Sequence, residues 1–419
     1  MRNLTFWWML LALLFAVDLY VFQALKVLTS TASPRAKLII HSTYWALTVI
    51  TVLLFFLMPY LSGMKAVKLA RNSIFSLLFG FFIAKLIAVL FFLTDDLRRV
   101  ALWAWEKFSS SGSQPIMVDA GADTITRSTF LSWAGMIAGG GLFSSLIYGL
   151  GNKYAYQVVK QKLVFPNLPK AFAGLKLVHI SDIHSGSFND KKAVAKGVQK
   201  IMALQPDLIL FTGDLVNNIA EEMDDYIDLF SELKAPMGVY STLGNHDYGE
   251  YVPWPSAEAK KENLERLKKV HAKMGWQLLI NEHVELKKEK DSIALIGIEN
   301  WSAKARFPKY GNLKNAYENA ANYPFKILMS HDPSHWKAEV IPSYSAIDLT
   351  LSGHTHGMQF GVELPGIKWS PVQYVYKEWA GLYEYSNQKL YVNRGFGFLG
   401  YPGRVGVLPE ITLIELNFQ

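Results

Sequence analysis

The chain contains no cysteine among its 419 residues. Disulfide bonds, thiolate metal ligands and a cysteine nucleophile are therefore excluded. The compartment stays open, because a domain without cysteine tolerates reducing and oxidising surroundings alike. The sequence also lacks a glycine-rich phosphate loop and a recognisable Ser/His/Asp nucleophile set. If the chain acts on phosphate or ester groups, residues of a different kind must carry the reaction.

Acidic residues are scarce in the first part of the chain. Residues 1–150 hold 6 Asp and Glu against 12 Lys and Arg, whereas the remainder holds 29 against 30. The net charge of +7 therefore comes mainly from the first 150 residues. Lysine and arginine are not interleaved with aromatic residues in a stripe, so a nucleic-acid partner is not expected. Charge that flanks membrane helices explains the excess.

Four long apolar segments predict an all-α transmembrane region over residues 1–150. They span about 4–22, 38–60, 73–93 and 130–150, and residues 151–174 after them are predicted to form a tether. Asp18 and Lys85 lie inside these apolar runs. Charges within a membrane are candidates for function, but a structural interpretation is favoured here, because Asp18 lies near the end of its segment and Lys85 can either extend to the interface or pair with a neighbouring helix. Gly135-x-x-x-Gly139 in the fourth segment predicts close helix packing.

Residues 175–419 show short apolar runs alternating with charged helical stretches, which predicts one α/β domain. The predicted strands are 175–180, 208–211, 239–243, 292–298, 325–329, 347–351, 390–393 and 411–416, and the predicted helices are 191–204, 220–233 and 257–274. A fragment that starts near Lys160 is expected to fold, because the predicted strands lie after that point.

Five short motifs follow predicted strands in this domain. They are Ser181-Asp182-Ile183-His184, Gly213-Asp214, Gly244-Asn245-His246-Asp247, His331-Asp332 and Gly353-His354-Thr355-His356. Loops at the carboxyl ends of strands are where α/β folds gather their sites. Carboxylates, imidazoles and a carboxamide together are suited to two divalent cations. The motifs therefore predict a two-metal hydrolytic site.

Each motif by itself has an ordinary structural interpretation. Gly-Asn-His-Asp is compatible with an asparagine-initiated turn, and two histidines can bind a metal without catalysis. The joint order of the motifs and their shared strand context favour the metal site. His335 lies four residues after His331, a spacing that can share a metal on a helix. Because Pro333 lies between them, a structural role is favoured for His335.

With these motifs the chain resembles the calcineurin-like metallophosphoesterase superfamily, and in particular its membrane-anchored bacterial branch, over roughly residues 166–418. The resemblance implies a β-sandwich flanked by helices, two divalent cations (Mn, Zn, Fe or Mg) and phosphodiesterase or related hydrolase activity. It also implies a multi-pass protein of a bacterial cell membrane. Positive charges flank the spans almost equally, so they do not choose the face of the catalytic domain. Thr126–Leu131 resembles a twin-arginine export signal with one arginine missing and favours the extracytoplasmic side.

The resemblance also implies a role for each motif residue. Asp182, His184 and His356 would hold one cation, Asn245, His331 and His354 would hold the other, and Asp214 would bridge them. His246 would protonate the leaving oxygen, with Asp247 supporting its imidazole. The family often has Asp three residues after the bridging Asp, where this chain has Asn217. That departure affects the surroundings of the ligands and leaves the ligand set complete.

Arg394 and Arg404 in the C-terminal segment are candidates for binding the phosphate of a substrate. A structural ion pair is an equally good interpretation for an arginine in this segment. The sequence does not choose between the two.

Aromatic residues gather in three loops after the motifs, and they favour a lipid or membrane-associated substrate. Plain loop packing is the competing explanation. The favoured function is a membrane-anchored phosphohydrolase acting on phosphoester or pyrophosphate bonds, and UDP-2,3-diacylglucosamine hydrolysis in lipid A synthesis is a specific form of it. The alternative class is a membrane sensor or scaffold with a degenerate metal domain. The sequence leaves the oligomeric state open.

Overall fold

The computed structural model describes residues 4–57, 68–108 and 127–418. Thr126 of the export-like motif lies outside these residues. The chain divides into two compact units, Met1–Tyr148 and Gly149–Gln419.

Within its described residues, the first unit contains four helices at the positions of the predicted apolar segments. They are α1 (Leu4–Leu28), α2 (Pro34–Leu57), α3 (Lys68–Phe108) and α4 (Arg127–Leu150). All four are long and apolar enough to cross a membrane. Helix α3 extends well past the predicted end at residue 93, and Asp95 pairs with Arg98 one turn later at 3.0 Å. Such pairs at i,i+3 spacing support a helix in its polar section.

The two intramembrane charges meet each other. Lys85 of α3 is paired with Asp18 of α1, and both residues are buried. Tyr44 and Thr48 of α2 donate hydrogen bonds of 2.9 and 3.0 Å to Asp18 Oδ1. Of the two structural interpretations of Lys85, the structure therefore supports pairing, and the cluster joins three helices. A buried charge that loses its partner is costly, so the cluster fixes how these helices pack.

Close packing at the glycines of α4 is also confirmed. A Cβ atom on Gly139 would lie 2.5 Å from the carbonyl oxygen of Ala84, and one on Gly135 would lie 2.9 Å from that of Ala88. These distances are shorter than ordinary contacts, so α4 and α3 approach as closely as they do only because both positions lack a side chain.

The second unit contains two six-stranded sheets. The first has the order β1-β14-β2-β3-β4-β5 and the second β12-β13-β9-β8-β7-β6. The strands are β1 (Gln157–Phe165), β2 (Leu175–Ile180), β3 (Leu208–Phe211), β4 (Val239–Ser241), β5 (Gln277–Leu278), β6 (Glu282–Lys288), β7 (Asp291–Gly297), β8 (Lys326–Met329), β9 (Leu349–Ser352), β10 (Val362–Leu364), β11 (Ile367–Trp369), β12 (Gly381–Tyr385), β13 (Gln388–Val392) and β14 (Glu410–Phe418). Strands β10 and β11 form a separate hairpin.

The core between the sheets is built from side chains of both, including Leu177 and Leu210 from the first and Leu295 and Leu351 from the second. Helices cover the outer faces. They are α5 (Lys191–Ala203), α6 (Ile227–Phe230), α7 (Ala257–Lys273), α8 (Leu313–Tyr317) and α9 (Ile341–Ser343). The predicted β-sandwich flanked by helices is therefore confirmed. The prediction of one continuous helix over 220–233 is wrong, because a 3-10 turn at Ala220–Met223 precedes the short α6.

The predicted tether is wrong. Residues 157–165 form β1, which runs parallel to β14 over nine residues at the edge of the first sheet. Leu163 and Phe165 of β1 are buried, whereas Lys160 and Lys162 are exposed. Lysines are common on edge strands because they oppose unwanted pairing. Because of these lysines, the segment has the composition of a charged linker, and the strand was not predicted.

The position of β1 changes the fragment that is expected to fold. A start at Lys160 cuts the strand, so we expect a fragment of residues 149–419 to fold and one of residues 166–419 to be strongly destabilised. Losing the buried Leu163 and Phe165 costs roughly 3–6 kcal/mol of unfolding free energy, a large share of the roughly 5–15 kcal/mol typical of a protein. Thermal unfolding followed by circular dichroism measures the difference. Equal melting temperatures for the two fragments would show that β1 is dispensable.

Candidate metal centre

The predicted ligands meet at one edge of the sandwich. Strands β2, β3 and β4 are parallel to one another, and so are β8 and β9. Asp182, Asp214 and Asn245 come just after the first three strands, and His331 and His354 after the other two. Because the strands of each set end at the same side, both sheets deliver their loops to a common place.

The ligand residues have unusual backbone conformations. Asp182, His184, Asp214, His354 and His356 all have positive φ angles, between 49° and 69°. Such angles are uncommon outside glycine and cost roughly 1–3 kcal/mol when the surroundings impose them. Five strained residues with ligand-type side chains in one place indicate a functional site whose geometry is maintained against local preference.

Glycines make room for these residues. A Cβ atom on Gly353 would lie 2.1 Å from Asp182 Oδ2, and one on Gly244 would lie 2.2 Å from Asp214 Oδ1. Neither neighbour can retreat without moving a ligand. The glycines of the Gly-His and Gly-Asn motifs are therefore required by close approach.

Asp182, His184 and His356 form a first group of buried donors, whose ligand atoms all lie within 4.8 Å of one another. Asp182 Oδ1 is 3.2 Å from His356 Nε2 and 4.0 Å from His184 Nε2. This is the first ligand set implied by the sequence, and its three members are brought together.

Asp214, His331 and His354 form a second group, also within 4.8 Å. His331 Nε2 is 3.1 Å from Asp214 Oδ2 and 3.2 Å from His354 Nδ1. His331 Nδ1 donates to the carbonyl oxygen of Thr212 at 2.7 Å, so Nε2 is the nitrogen that would bind a metal.

Asp214 is placed between the two groups. Its Oδ2 atom lies 3.1 Å from His331 Nε2 and 3.5 Å from His184 Nε2. Burial alone would raise the pKa of Asp214, but attraction by His331 and His246 outweighs it and holds the pKa well below its usual range. The carboxylate is therefore charged, as a ligand shared by two cations must be.

Several buried polar atoms in the site have no hydrogen-bond partner among the described residues. They are Asn245 Oδ1, His356 Nε2 and both ring nitrogens of His184. Buried polar atoms are almost always paired, so a cluster of unpaired ones requires an explanation. Divalent cations would account for Asn245 Oδ1, His356 Nε2 and the Nε2 atom of His184, since a carboxamide oxygen and imidazole nitrogens are suitable ligands. The side-chain amide of Asn245 also donates to the Tyr251 hydroxyl at 2.8 Å, which orients Oδ1. The residues present therefore fit the implied cations.

His246 is half-buried beside these groups and lines the cleft above them. Its Nδ1 atom lies 2.7 Å from the carbonyl oxygen of Asn217, which can only accept. In the neutral ring the proton is therefore on Nδ1, and Nε2 is the atom that can take up and release a second proton.

Asp247 does not support the His246 imidazole, contrary to the expectation from the resemblance. Its carboxylate accepts hydrogen bonds from the backbone N–H groups of Asp214, Leu215 and Gly244, at 2.8 to 2.9 Å. The side chain therefore joins the loop after β3 to the loop after β4. Burial, with repulsion by Asp214, raises the pKa of Asp247 to about 7.

The guanidinium groups of Arg394 and Arg404 are turned toward protein acceptors. Arg394 binds Glu363 at 2.8 Å and also pairs with Glu410 at 2.5 Å, and the structure thus favours the ion pair over phosphate binding. Arg404 is fully buried and donates to the carbonyl oxygens of Arg394 and His356. Neither arginine lines the cleft over the ligands.

His335 lies apart from the ligand groups. Ser330 Oγ is 2.9 Å from its Nδ1 and Glu339 Oε2 is 3.2 Å from its Nε2, which confirms the structural role predicted for it.

The cleft over the metal ligands has a volume of about 340 Å³. Its walls are mostly apolar and include Phe307, Met358, Val372 and Val375. Arg306 is the cation that lines it, and its guanidinium lies 4.6 Å from the centre of the Phe307 ring. In the sequence, Arg306 belongs to one of the aromatic loops that favour a lipid substrate, but no motif there assigns it to the cleft.

Tyr376 makes a contact in the site that the sequence did not predict. Its hydroxyl lies 2.9 Å from His354 Nε2 and donates to Asp332 Oδ2 at 3.1 Å. The chain from tyrosine to aspartate orients the imidazole of a ligand. In the sequence, Tyr376 is one of the aromatic residues after the last histidine motif, which favour a lipid substrate and do not predict a contact with a histidine.

Comparison with known proteins identifies the family. Residues 175–358 match the sequence model described as "Calcineurin-like phosphoesterase". Residues 1–152 match one described as "Probable Calcineurin-like phosphoesterase, transmembrane domain". The chain belongs to the calcineurin-like metallophosphoesterases. Members of this family are phosphoesterases, and the donor groups described above are candidate ligand sets for their divalent metals.

This metallophosphoesterase is similar to proteins of an animal and of bacteria. It is 30% identical to a zebrafish (Danio rerio) transmembrane protein with metallophosphoesterase domain over 279 residues, which is 65% of this chain and 60% of the relative. The alignment thus spans less than two thirds of that relative's length. It is 28% identical to the uncharacterized metallophosphoesterase YkuE of Bacillus subtilis over 290 residues, 68% of this chain and 94% of the relative. The UDP-2,3-diacylglucosamine pyrophosphatase LpxG of Chlamydia muridarum is 29% identical over 279 residues, 55% of this chain and 81% of the relative.

Proposed function

We propose that this protein is a membrane-anchored hydrolase that uses two divalent cations to cleave a phosphoester or pyrophosphate bond in a lipid-borne or membrane-associated substrate. The observation that carries the proposal is the set of seven donor side chains gathered under one cleft. Six of them form two groups of three, and Asn245 directs an unpaired buried oxygen to the same place. A degenerate sensor would be expected to have lost some of these donors.

The cations would be divided between the two groups, with Asp214 serving both. Bound there, they would neutralise charge on the phosphoryl group and lower the pKa of the attacking water. His246 would give a proton from Nε2 to the departing oxygen when its ring is doubly protonated, because Nδ1 remains a donor to the Asn217 carbonyl oxygen. Arg306 offers the cleft a positive charge for a further phosphate oxygen.

The walls of the cleft support a substrate with an apolar part. Apolar side chains surround the space over the ligands, and the same chain has four helices able to cross a membrane. A lipid-borne substrate fits both observations. Hydrolysis of UDP-2,3-diacylglucosamine is the specific candidate, favoured by the 29% identity to the chlamydial pyrophosphatase. That substrate combines a pyrophosphate for the metals with acyl chains for the apolar walls.

The proposal is tested with the full-length protein in detergent, using bis(p-nitrophenyl) phosphate as substrate. We expect exhaustive chelation and dialysis to abolish turnover, and Mn²⁺ or another divalent cation to restore it, because no other catalytic set is present in the described part of the cleft. Magnesium, zinc and iron added separately determine the preferred metal. Undiminished turnover after chelation would refute the metal mechanism. Absence of turnover with all four metals would favour the sensor.

A further inference from the structure

The exposed apolar side chains of the second unit are concentrated beside the active-site cleft. Seven of its twelve exposed large hydrophobic residues among those described lie within residues 358–375. We call them the hairpin patch: Met358, Val362, Leu364, Ile367, Trp369, Tyr374 and Val375. Isolated exposed hydrophobic residues are ordinary, but a contiguous patch marks a site of interaction.

The hairpin has the reverse of the pattern expected for a surface hairpin. Val362 pairs with Trp369 and Leu364 with Ile367, so these four side chains share one face. Their side chains are between 36% and 61% exposed. The apolar face of the hairpin therefore points outward.

The charged face of the hairpin is turned toward the domain. Glu363 accepts from Arg394 Nε at 3.0 Å and from Nη2 at 2.8 Å. Lys368 donates to the carbonyl oxygen of Ala380 and lies over the Trp379 ring at 4.8 Å. The charged side chains of the hairpin are therefore bonded to the rest of the domain, and its apolar side chains face outward.

The base of the hairpin is fixed as well. The N–H of Gly361 donates to the carbonyl oxygen of Val405 at 2.9 Å, and Ser370 Oγ donates to that of Gly357 at 2.9 Å. The indole N–H of Trp369 reaches the Tyr374 hydroxyl at 3.4 Å. The patch is therefore held as one surface by bonds at both ends of the hairpin.

The patch is continuous with the cleft, because Met358 and Val375 belong to both. A molecule that contacts the patch is therefore next to the metal ligands. Met358 lies two residues after the ligand His356 in the chain.

We propose that the hairpin patch inserts among the acyl chains of a lipid bilayer and delivers a lipid-borne phosphoester to the cleft. This inference rests on the proposed function for the chemistry, and on the exposed surface alone for the insertion. Tryptophan and tyrosine are the side chains that settle at the membrane–water boundary, and the patch contains one of each. Four described helices of the same chain are long and apolar enough to cross a membrane, so a bilayer is the surface to which this chain itself would be attached.

The charges around the patch suit an anionic lipid surface. Arg306 lines the cleft, and Lys377 is exposed two residues after Val375. Among the described residues, neither forms an ion pair with a carboxylate. Basic side chains near an anionic bilayer each contribute to binding. The combination of outward apolar side chains with unpaired cations favours lipid over a second protein surface.

The absence of cysteine allows a direct test in the full-length chain. Leu364→Cys and Tyr385→Cys each introduce a single labelling site, and the native side chains have similar exposure, 61% and 57%. Each variant is labelled with a fluorophore and reconstituted in vesicles of phosphatidylethanolamine and phosphatidylglycerol. We expect spin-labelled acyl chains to quench the label at Leu364 and aqueous iodide to quench the label at Tyr385.

Each other outcome of the quenching experiment overturns the insertion. Iodide quenching at Leu364 equal to that at Tyr385 places the patch in water. Protection of Leu364 from iodide and from lipid quenchers alike identifies a protein surface, such as a second copy of the chain. Equal lipid quenching at both labels shows that the patch is not the element inserted.

Activity supplies a second, independent measurement. Leu364→Ser with Ile367→Ser removes apolar surface without touching a ligand or a cleft residue, and Val164→Ser is the control at another exposed position. On vesicles containing phosphatidyl-p-nitrophenol we expect the double variant to lose roughly tenfold in kcat/KM. Its turnover of soluble bis(p-nitrophenyl) phosphate should match that of the control. Equal activity on the lipid would refute the delivery role, whereas failure of the unmodified protein on both substrates would refute the proposed function and leave the quenching result valid.

Discussion

Replacing Asp214 with asparagine is expected to abolish turnover and to release both cations. The single atom Asp214 Oδ2 lies within 3.5 Å of one histidine from each donor group, so both metal positions depend on it. Asparagine keeps the shape of the side chain but removes the negative charge. Two cations close together cannot be held without that charge. The loss should exceed the roughly 10²–10⁴-fold expected when a proton donor is removed.

Asp332→Asn is the matched control for this variant. Asp332 is another buried carboxylate of the site, but it acts on a ligand instead of on the metals: its Oδ2 atom lies 3.6 Å from His354 Nε2 and accepts from Tyr376. Removal of such an orienting group costs roughly 10–100-fold. Metal content by mass spectrometry and turnover are measured on both variants. If Asp214→Asn keeps two metals per chain, Asp214 is not the bridging ligand.

The site was predictable because its signals are local in the chain. Each motif follows a short buried strand, and the parallel order of strands such as β2 and β3 converts neighbouring strand ends into neighbouring loops. Asp182 or His354 can therefore be predicted as a candidate ligand from its own motif, without information from residues far away in the chain. What the sequence did not contain is the strained backbone of these residues, since a positive φ is imposed by the packing of both sheets around them.

The roles of residues around the ligands could not be predicted with the same ease. The Asp247 carboxylate was expected to contact the neighbouring imidazole, but the turn after Gly244 directs it to backbone N–H groups. The carbonyl oxygen of Asn217 takes its place beside His246. A carbonyl oxygen belongs to every residue, so no sequence pattern distinguishes this one. The substitution of asparagine for the more usual aspartate at that position leaves the contact unaffected, because the contact is made by the backbone.

Elements at the edges of the fold were missed for a different reason. Strand β1 combines exposed lysines with the buried Leu163 and Phe165, and its pairing partner β14 lies about 250 residues later in the chain. Hairpin β10–β11 has apolar side chains that face outward, so a search for inward-facing apolar residues does not find it. Elements that depart from the usual inward placement of apolar side chains are expected at functional sites.

Replacing His246 with alanine is expected to slow turnover by roughly 10²–10⁴-fold while the metals stay bound. The imidazole lines the cleft, and the metal ligands form their groups without it. Because Nδ1 donates to the Asn217 carbonyl oxygen, Nε2 is the nitrogen from which the doubly protonated ring would give a proton to the leaving oxygen. The loss should therefore be large for an alkyl phosphodiester and small for bis(p-nitrophenyl) phosphate, because nitrophenolate leaves without a proton.

His283→Ala is the matched control for that prediction. His283 is also half-buried and its Nδ1 atom lies 3.1 Å from the carbonyl oxygen of Ala316, but it is not part of the cleft. Its removal should affect both substrates equally and slightly, through stability alone. The decisive quantity is the ratio of the two turnover rates, since a structural defect lowers both while a missing proton donor lowers one. If the His246 variant loses metal, or loses both activities in proportion, the residue is a ligand or a support, and the leaving oxygen obtains its proton from another group.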